Sequence, residues 1–395
     1  HGPRGCGPRH ATDQKGQRQP HHPDGGTQHE CGLEHCRYHQ RVATRAGDCR
    51  RSLRLRVARP AGAGSLHGQI QYEPFEELGL VWAKNFLPGL AILADSQKIW
   101  QSLSKELDCD LEVSRNGGLM IAQTSLNMKH LEEKVALENS IGIESVLLTQ
   151  SELHEKARYI SAKMVGASFC PIEGKANPLL VAPAFVRKAR NLGATIQTKT
   201  KVIEIRKKNT FYEIVTPTSI FSCTKLIITA NAGIPALARF LNKKIPISDV
   251  PVQVSVTEQI EKFVHHLIYF TTEKLTLKQA NSGSLLIGGG WPARTDDSGK
   301  ISLNPDSLRA NLRVALKVVP SIADIKVIRT WVGVGNGTPD HNPIIDELDE
   351  YPGVYIGMYP YMGFTAAPLM GELLSELAMT GKTMRDISMF SMDRF

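Results

Sequence analysis

The chain has 395 residues, 42% of them hydrophobic and 22% charged, which is long enough for two large cores and ordinary for a globular protein. Its formal charge of +8 sits at one end: residues 1–64 hold 12 Lys and Arg against 5 Asp and Glu, and the remainder hold 35 against 34. The body is electrically balanced, without the basic stripe that tracks phosphates, so a nucleic-acid partner is not expected.

The first 64 residues also contain 7 of the 13 His and 4 of the 7 Cys, with no Ile, Phe, Trp or Met. Such a segment cannot bury enough surface to offset chain entropy, and it lacks the apolar centre of a signal peptide. Residues 1–62 therefore read as an atypical, disordered segment. Cys31 and Cys36 have a spacing within zinc-finger range, near His29, His35, His39 and Cys49, but no second ordered pair follows and no metal site is expected. Cys109, Cys170 and Cys223 are too scattered for a disulfide framework, which points to a reducing compartment. No run approaches eighteen apolar residues, so no transmembrane segment is expected.

Beyond Gln71, helical spacing of Leu90, Leu93, Ile99, Trp100 and Leu103 predicts a helix from about Phe75 to Lys105, interrupted near Pro88-Gly89. Strands are predicted at Leu111–Val113 and Gly118–Ala122, then a helix over Ser125–Ser140. A short strand, Val146–Leu148, leads to a helix capped by Thr149 or Ser151, with His154 completing the pattern. A helix over Leu179–Leu192 ends at Gly193, followed by strands at 195–197, 201–206, 211–215 and 220–223. Leu226–Ala230 is continuously apolar, as in a parallel strand buried on both faces, and turns through Asn231-Ala232-Gly233 into a helix near Pro235. Strand-like runs dominate residues 246–330, broken by a helix over about Asp306–Val318. The pattern is α/β in some pieces and α+β in others.

The last sixty residues carry the most information. Trp331-Val332-Gly333 precedes Thr338-Pro339-Asp340, and a strand at Val354–Gly357 runs through Tyr361-Met362-Gly363-Phe364-Thr365 into a helix, with Gly363 allowing close approach and Thr365 placed as N-cap. A helix N-terminus offers free N–H groups to an electron-rich ligand. This ordered series, with the ending Phe390-Ser391-Met392-Asp393-Arg394-Phe395, resembles the FAD-dependent D-amino-acid oxidase-like flavoproteins: D-amino-acid dehydrogenases and glycine, sarcosine and opine oxidases. The resemblance covers about residues 64–395.

It implies an FAD-binding Rossmann-like domain in pieces (63–78, 166–245 and 331–395) and an inserted antiparallel-sheet substrate domain (79–165 and 246–330). FAD-lining positions would be Ser65, Leu66, His67, Val202, Ala230, Asn231, Ala232, Gly233, Thr338, Asp340, Met362, Gly363, Phe364 and Thr365. His67, Tyr269, Trp331 and Tyr361 would wall the substrate pocket, and no side-chain base is implied. The reaction would be oxidation of a C–N bond in an amino acid or related amine by hydride transfer to flavin N5, with oxygen, a quinone or a partner subunit as final acceptor. The location would be the cytoplasm or the periphery of the inner membrane. Two departures stand out. Gly335 occupies the place of the arginine that grips a substrate carboxylate, leaving Arg115, Arg294 and Arg329 as replacement candidates. The family's opening Gly-x-Gly-x-x-Gly unit is also missing, so residues 1 to about 62 read as its out-of-frame translation. The alternative function is a non-catalytic remnant that cannot retain FAD.

Overall fold

After Gly64, small and apolar residues form a strand, Gly64–Leu66, which pairs antiparallel with Gly174–Ala176 and sets Ser65 opposite Lys175. The computed structural model describes residues 64–395. The expectations for residues 1–62 and their Cys/His cluster lie outside the described residues.

Helix α1 (Tyr72–Glu106) turns Ala83, Phe86, Leu90, Leu93, Trp100 and Leu103 to one buried face. Its expected interruption at Pro88-Gly89 falls instead at Gly79, where φ is 71°. Burial of Phe86 and Leu90 on either side carries the helix through the proline. Of the described helices, α1 alone has a membrane span's length and apolarity, and its buried face packs into the protein. The remaining α-helices are α2 (Ser125–Ser140), α3 (Gln150–Lys156), α4 (Pro178–Asn191), α5 (Ile234–Ala238), α6 (Pro305–Val318) and α7 (Gly363–Thr380). Thr149, one of the two expected caps, closes α3 in a box with Glu152, and Ser151 and His154 do not form the expected pairing.

The largest sheet has eight strands in the order Val327–Gly337, Ser248–Gln259, Ser284–Gly288, Thr276–Gln279, Leu267–Phe270, Gly118–Ala122, Gly166–Cys170 and Val146–Thr149. It is mixed rather than purely antiparallel, because Leu267–Phe270 runs parallel to Gly118–Ala122. Leu119, Ile121, Ile268, Leu277, Leu285 and Ile287 form one face and pack on Val314, Ala315 and Val318 of α6. Strand alternation turns Met120, Tyr269, Thr276, Lys278 and Leu286 to the opposite face.

A smaller sheet joins Ile344–Glu347, Val354–Met358 and Leu226–Ile228, the last two parallel. Leu226–Ile228 has one strand neighbour among the described residues, and Ile227 is 43% exposed where burial on both faces was expected. The strand expected at 111–113 does not form, because Asp110 accepts from the Glu112 N–H in a tight turn with Glu112 at φ 56°. Nor does the one expected at 195–197, where Lys199 turns the chain at φ 57°. Helix α7 begins at Gly363 with Met362 in the cap position and no side-chain cap, so Thr365 lies in the first turn and not at the N-cap. Tyr359, Met362, Ala366, Met370 and Leu373 pack with Phe86, Leu90 and Leu93, fixing α7 against α1.

The Gly64–Leu66 pairing depends on Gly174, where an added Cβ would lie 1.9 Å from the Ser114 carbonyl oxygen and 2.9 Å from the Arg115 Cα. Gly174→Ala should therefore cost at least about 1–3 kcal/mol in urea unfolding. An unchanged midpoint would refute this packing.

Candidate functional site

Three segments distant in sequence meet at Thr365. The His67 N–H donates to its hydroxyl at 2.9 Å, and that hydroxyl donates to the Ser65 carbonyl at 3.1 Å. The Thr365 carbonyl accepts from Ser96 Oγ at 2.7 Å and Trp100 Nε1 at 2.9 Å, both on α1. The Phe364 ring packs on Trp100 and takes the space above Gly64 that a Cβ would need. The strand before α1 is thereby held against the first turn of α7. The first helical bond of α7 runs from the Ala366 N–H to Met362, leaving the earlier N–H groups with the positive end of the helix. A Cβ built on Gly363 meets nothing within 4 Å, so the terminus faces open space.

Behind this junction lies a buried polar chain. His67 Nδ1 is 2.8 Å from the Tyr269 hydroxyl, which donates to Glu173 at 3.2 Å. Glu173 also accepts from the Gly68 N–H at 2.7 Å and from Gln69 Nε2 at 2.6 Å. Gln69 in turn accepts from Lys134, which forms a fully buried ion pair with Glu138 at 2.7 Å. Burial pushes the Glu173 carboxyl up to about 7, and the Tyr269 hydroxyl well up, with the Glu173 charge adding to the latter. Burial and the Lys278 charge lower His67 to about 3, so its imidazole is neutral. With the tyrosine proton directed at Glu173, Nδ1 carries the histidine proton and Nε2 is left as the acceptor. His67 and Lys278 are each half-buried, so part of each side chain stays accessible.

The other expected residues divide into groups. Ser65 and Leu66 are buried at the junction. Met362 points into the core, whereas Tyr361 is 45% exposed with its ring against His341. Asn231 bonds Asn336, whose carbonyl accepts from the Tyr361 N–H at 3.1 Å, so the Ala230-Asn231-Ala232-Gly233 turn is tied to the loop before α7. Thr338 is buried and donates to the Asn342 carbonyl at 2.8 Å. Burial raises Asp340, but the Arg394 hydrogen bond and charge prevail and hold it below the usual carboxylate range; Arg394 Nε lies at 2.8 Å. Val202 packs with the core under the small sheet. Trp331 is on the edge strand, four strands from Tyr269 and about 19 Å away across the sheet. Of the arginine candidates, Arg294 pairs with Asp306 at the surface, Arg115 donates to the Ile172 carbonyl, and Arg329 is exposed on the edge strand. Glu173, Lys278, Lys134 and Glu138 were not anticipated. The signal in the sequence was faint: Glu173 follows an apolar run, and the other three carry ordinary strand or helix spacing.

A large mixed sheet, a smaller sheet with a parallel strand pair and a helix terminus held against a second strand make up the described α/β fold. The chain belongs to the DAO family of FAD dependent oxidoreductases, whose family model matches residues 58–377. It is 25% identical over 329 residues to an opine oxidase subunit from Rhizobium meliloti, covering 80% of this chain and 86% of that one. Its fold is similar to L-proline dehydrogenase from P. horikoshii (TM-score 0.73, 24% identity, 78% and 83% covered) and to glycine oxidase from Geobacillus kaustophilus (0.71, 20%, 84% and 87%). FAD is the family's cofactor. The open, uncapped terminus of α7 suits an electron-rich ring edge, so the described residues fit the ring end of that group.

The buried acid and base give opposite pH slopes. On folding, Glu173 takes up a proton between pH 4.5 and about 7, so its contribution to stability falls as pH rises through that window. His67 releases one between about 3 and 6.5, so its contribution falls as pH drops through it. The two offset between pH 4.5 and 6.5. Glu173→Gln should unmask the histidine branch: relative to wild type, its stability should rise with pH there by up to about 1.4 kcal/mol per unit in urea titrations. Parallel curves would mean that Glu173 titrates as an ordinary carboxyl.

Proposed function

We propose that the protein oxidises the C–N bond of an amino acid or related secondary amine in the cleft between the α7 terminus and the large sheet. The carrying observation is the Thr365 junction, which sets the Ser65–His67 backbone against an uncapped helix N-terminus with open space before it. When bound, FAD supplies the two-electron acceptor. Ser65, Leu66, His67, Gly363, Phe364 and Thr365 would hold its ring end, while Val202, the Ala230-Asn231-Ala232-Gly233 turn and Thr338 would line the remainder.

The first-turn N–H groups of α7 favour negative charge beside them and need no rearrangement to do so. His67 is fixed by Tyr269 and presents an unprotonated nitrogen, which accepts a hydrogen bond from a substrate N–H and orients the amine. Thr276 and Tyr269 on the sheet, with Tyr361 on the facing loop, would wall the substrate. Gly335 offers no carboxylate clamp, which favours N-substituted amino acids and opines over a D-amino acid held by an arginine. The name of the relative from Rhizobium meliloti marks that protein as one component of an assembly; a partner subunit is accordingly one acceptor to test here, along with oxygen and a quinone.

The purified full chain should be yellow and should deaminate members of this substrate class, with oxygen uptake compared against dye reduction to identify the acceptor. A colourless, inactive protein would return the non-catalytic alternative. Gly363→Leu gives a sharper test, because the fold leaves room for the side chain while a bound ring would not. It should keep its thermal midpoint in the cofactor-free state and lose flavin absorbance after purification. Full flavin content in that variant would remove the α7 terminus from the binding site.

A further inference from the structure

Lys278 is the one charged residue in the strands Leu267–Phe270, Thr276–Gln279 and Ser284–Gly288. It pairs with Leu286 and lies two residues from Thr276, hence on the sheet face away from α6. Its ammonium donates to Ser65 Oγ, and among the described residues no carboxylate lies within ion-pair distance of it. Lys175 stands directly opposite Ser65 in the short strand pair and donates to the Gln279 carbonyl, the residue after Lys278. Lys278 therefore contacts the serine hydroxyl, and Lys175 stands across the strand pair with its ammonium on the residue next to Lys278. Burial, then the Lys175 charge, lowers Lys278 to about 8, so it still carries charge at neutral pH. Sequestering such a charge without a counter-charge is costly, and a partly accessible face lets an anion supply one.

We propose that Lys278 and Ser65, with Lys175 behind them, form a subsite for a small monoanion at the ring end of the cleft. An ammonium with spare donors and an adjacent hydroxyl suit a carboxylate or a halide. The anion has two possible sources, the carboxylate of the amine substrate or a free ion bound beside it. The inference rests on the proposed use of the cleft. It also relocates the cation: Gly335 lies on the edge strand three strands from Lys278, so a substrate held by Lys278 would enter the cleft by a different end.

The test is calorimetric titration of the full chain, as purified, with sodium acetate and with acetamide as the neutral control. Wild type should bind acetate. Lys278→Met should weaken that binding at least tenfold, Lys278→Arg should largely restore it, and acetamide should distinguish none of the three. Acetate binding unchanged in Lys278→Met, or absent from wild type, would overturn the subsite, and neither result depends on flavin content or turnover. Substrate kinetics then separate the two sources. A KM raised in Lys278→Met for a carboxylate-bearing amine, but not for its decarboxylated analogue, assigns the substrate's own carboxylate. Equal KM values with loss of acetate inhibition assign a free anion.

Discussion

The architecture depends on the way Thr365 joins three segments that the chain separates by up to 300 residues. Its side chain is both acceptor and donor to the Ser65–His67 strand, and its carbonyl is shared by Ser96 and Trp100. A helix terminus ordinarily leaves its polar groups to water or a cap. Here the hydroxyl that could have capped α7 is turned outward to another strand, and the cap position is left to Met362. The arrangement gives up a local hydrogen bond for a long-range one, and the result is an uncapped, positively polarised end with open space before it.

The buried chain from Lys134 to His67 acts on the same junction from behind. A lone buried carboxylate would be expensive, but Glu173 has the Gly68 N–H, Gln69 and Tyr269 as donors, and the Lys134–Glu138 pair closes the far end. Glu138 also accepts from the Ile70 N–H at 2.7 Å. Residues 67–70 are thus held by polar contacts as α1 begins, which fixes where His67 can point. Hydrophobic packing alone would fix the distance between layers and leave the ring orientation free.

Helix positions, the parallel strand at Leu226 and the glycine bend before α7 were legible because they follow from local periodicity and turn chemistry. What escaped was non-local. Lys278 sits in an alternating strand, where a lysine usually marks a solvated face, and only the assembled sheet shows that this face is enclosed. Lys134 and Glu138 have the i, i+4 spacing of a surface pair, yet both side chains have no exposure. Thr365 carries a correct cap signature, overridden by a contact to a strand 300 residues away. Glycine positions misled in the opposite sense: the break in α1 follows backbone conformation at Gly79 and not composition at Pro88-Gly89.

Backbone conformation also couples the two ends of the proposed cofactor site. Asn231, His341 and Tyr361 all hold positive φ, at 53°, 62° and 57°, which is costly for residues other than glycine. Asn231 and Tyr361 meet the strand end at Asn336 and Gly337, and the His341 ring packs on Tyr361. Asn336 joins Asn231 by its side chain and Tyr361 by its carbonyl, and the space where Gly337 would carry a Cβ is filled by the Tyr361 hydroxyl. Relaxing any one of these backbones would break a contact to the others. The turn after Leu226–Ile228 is therefore linked to the loop that delivers α7, so a ligand spanning them would meet both elements already in place, with little ordering left to oppose its binding.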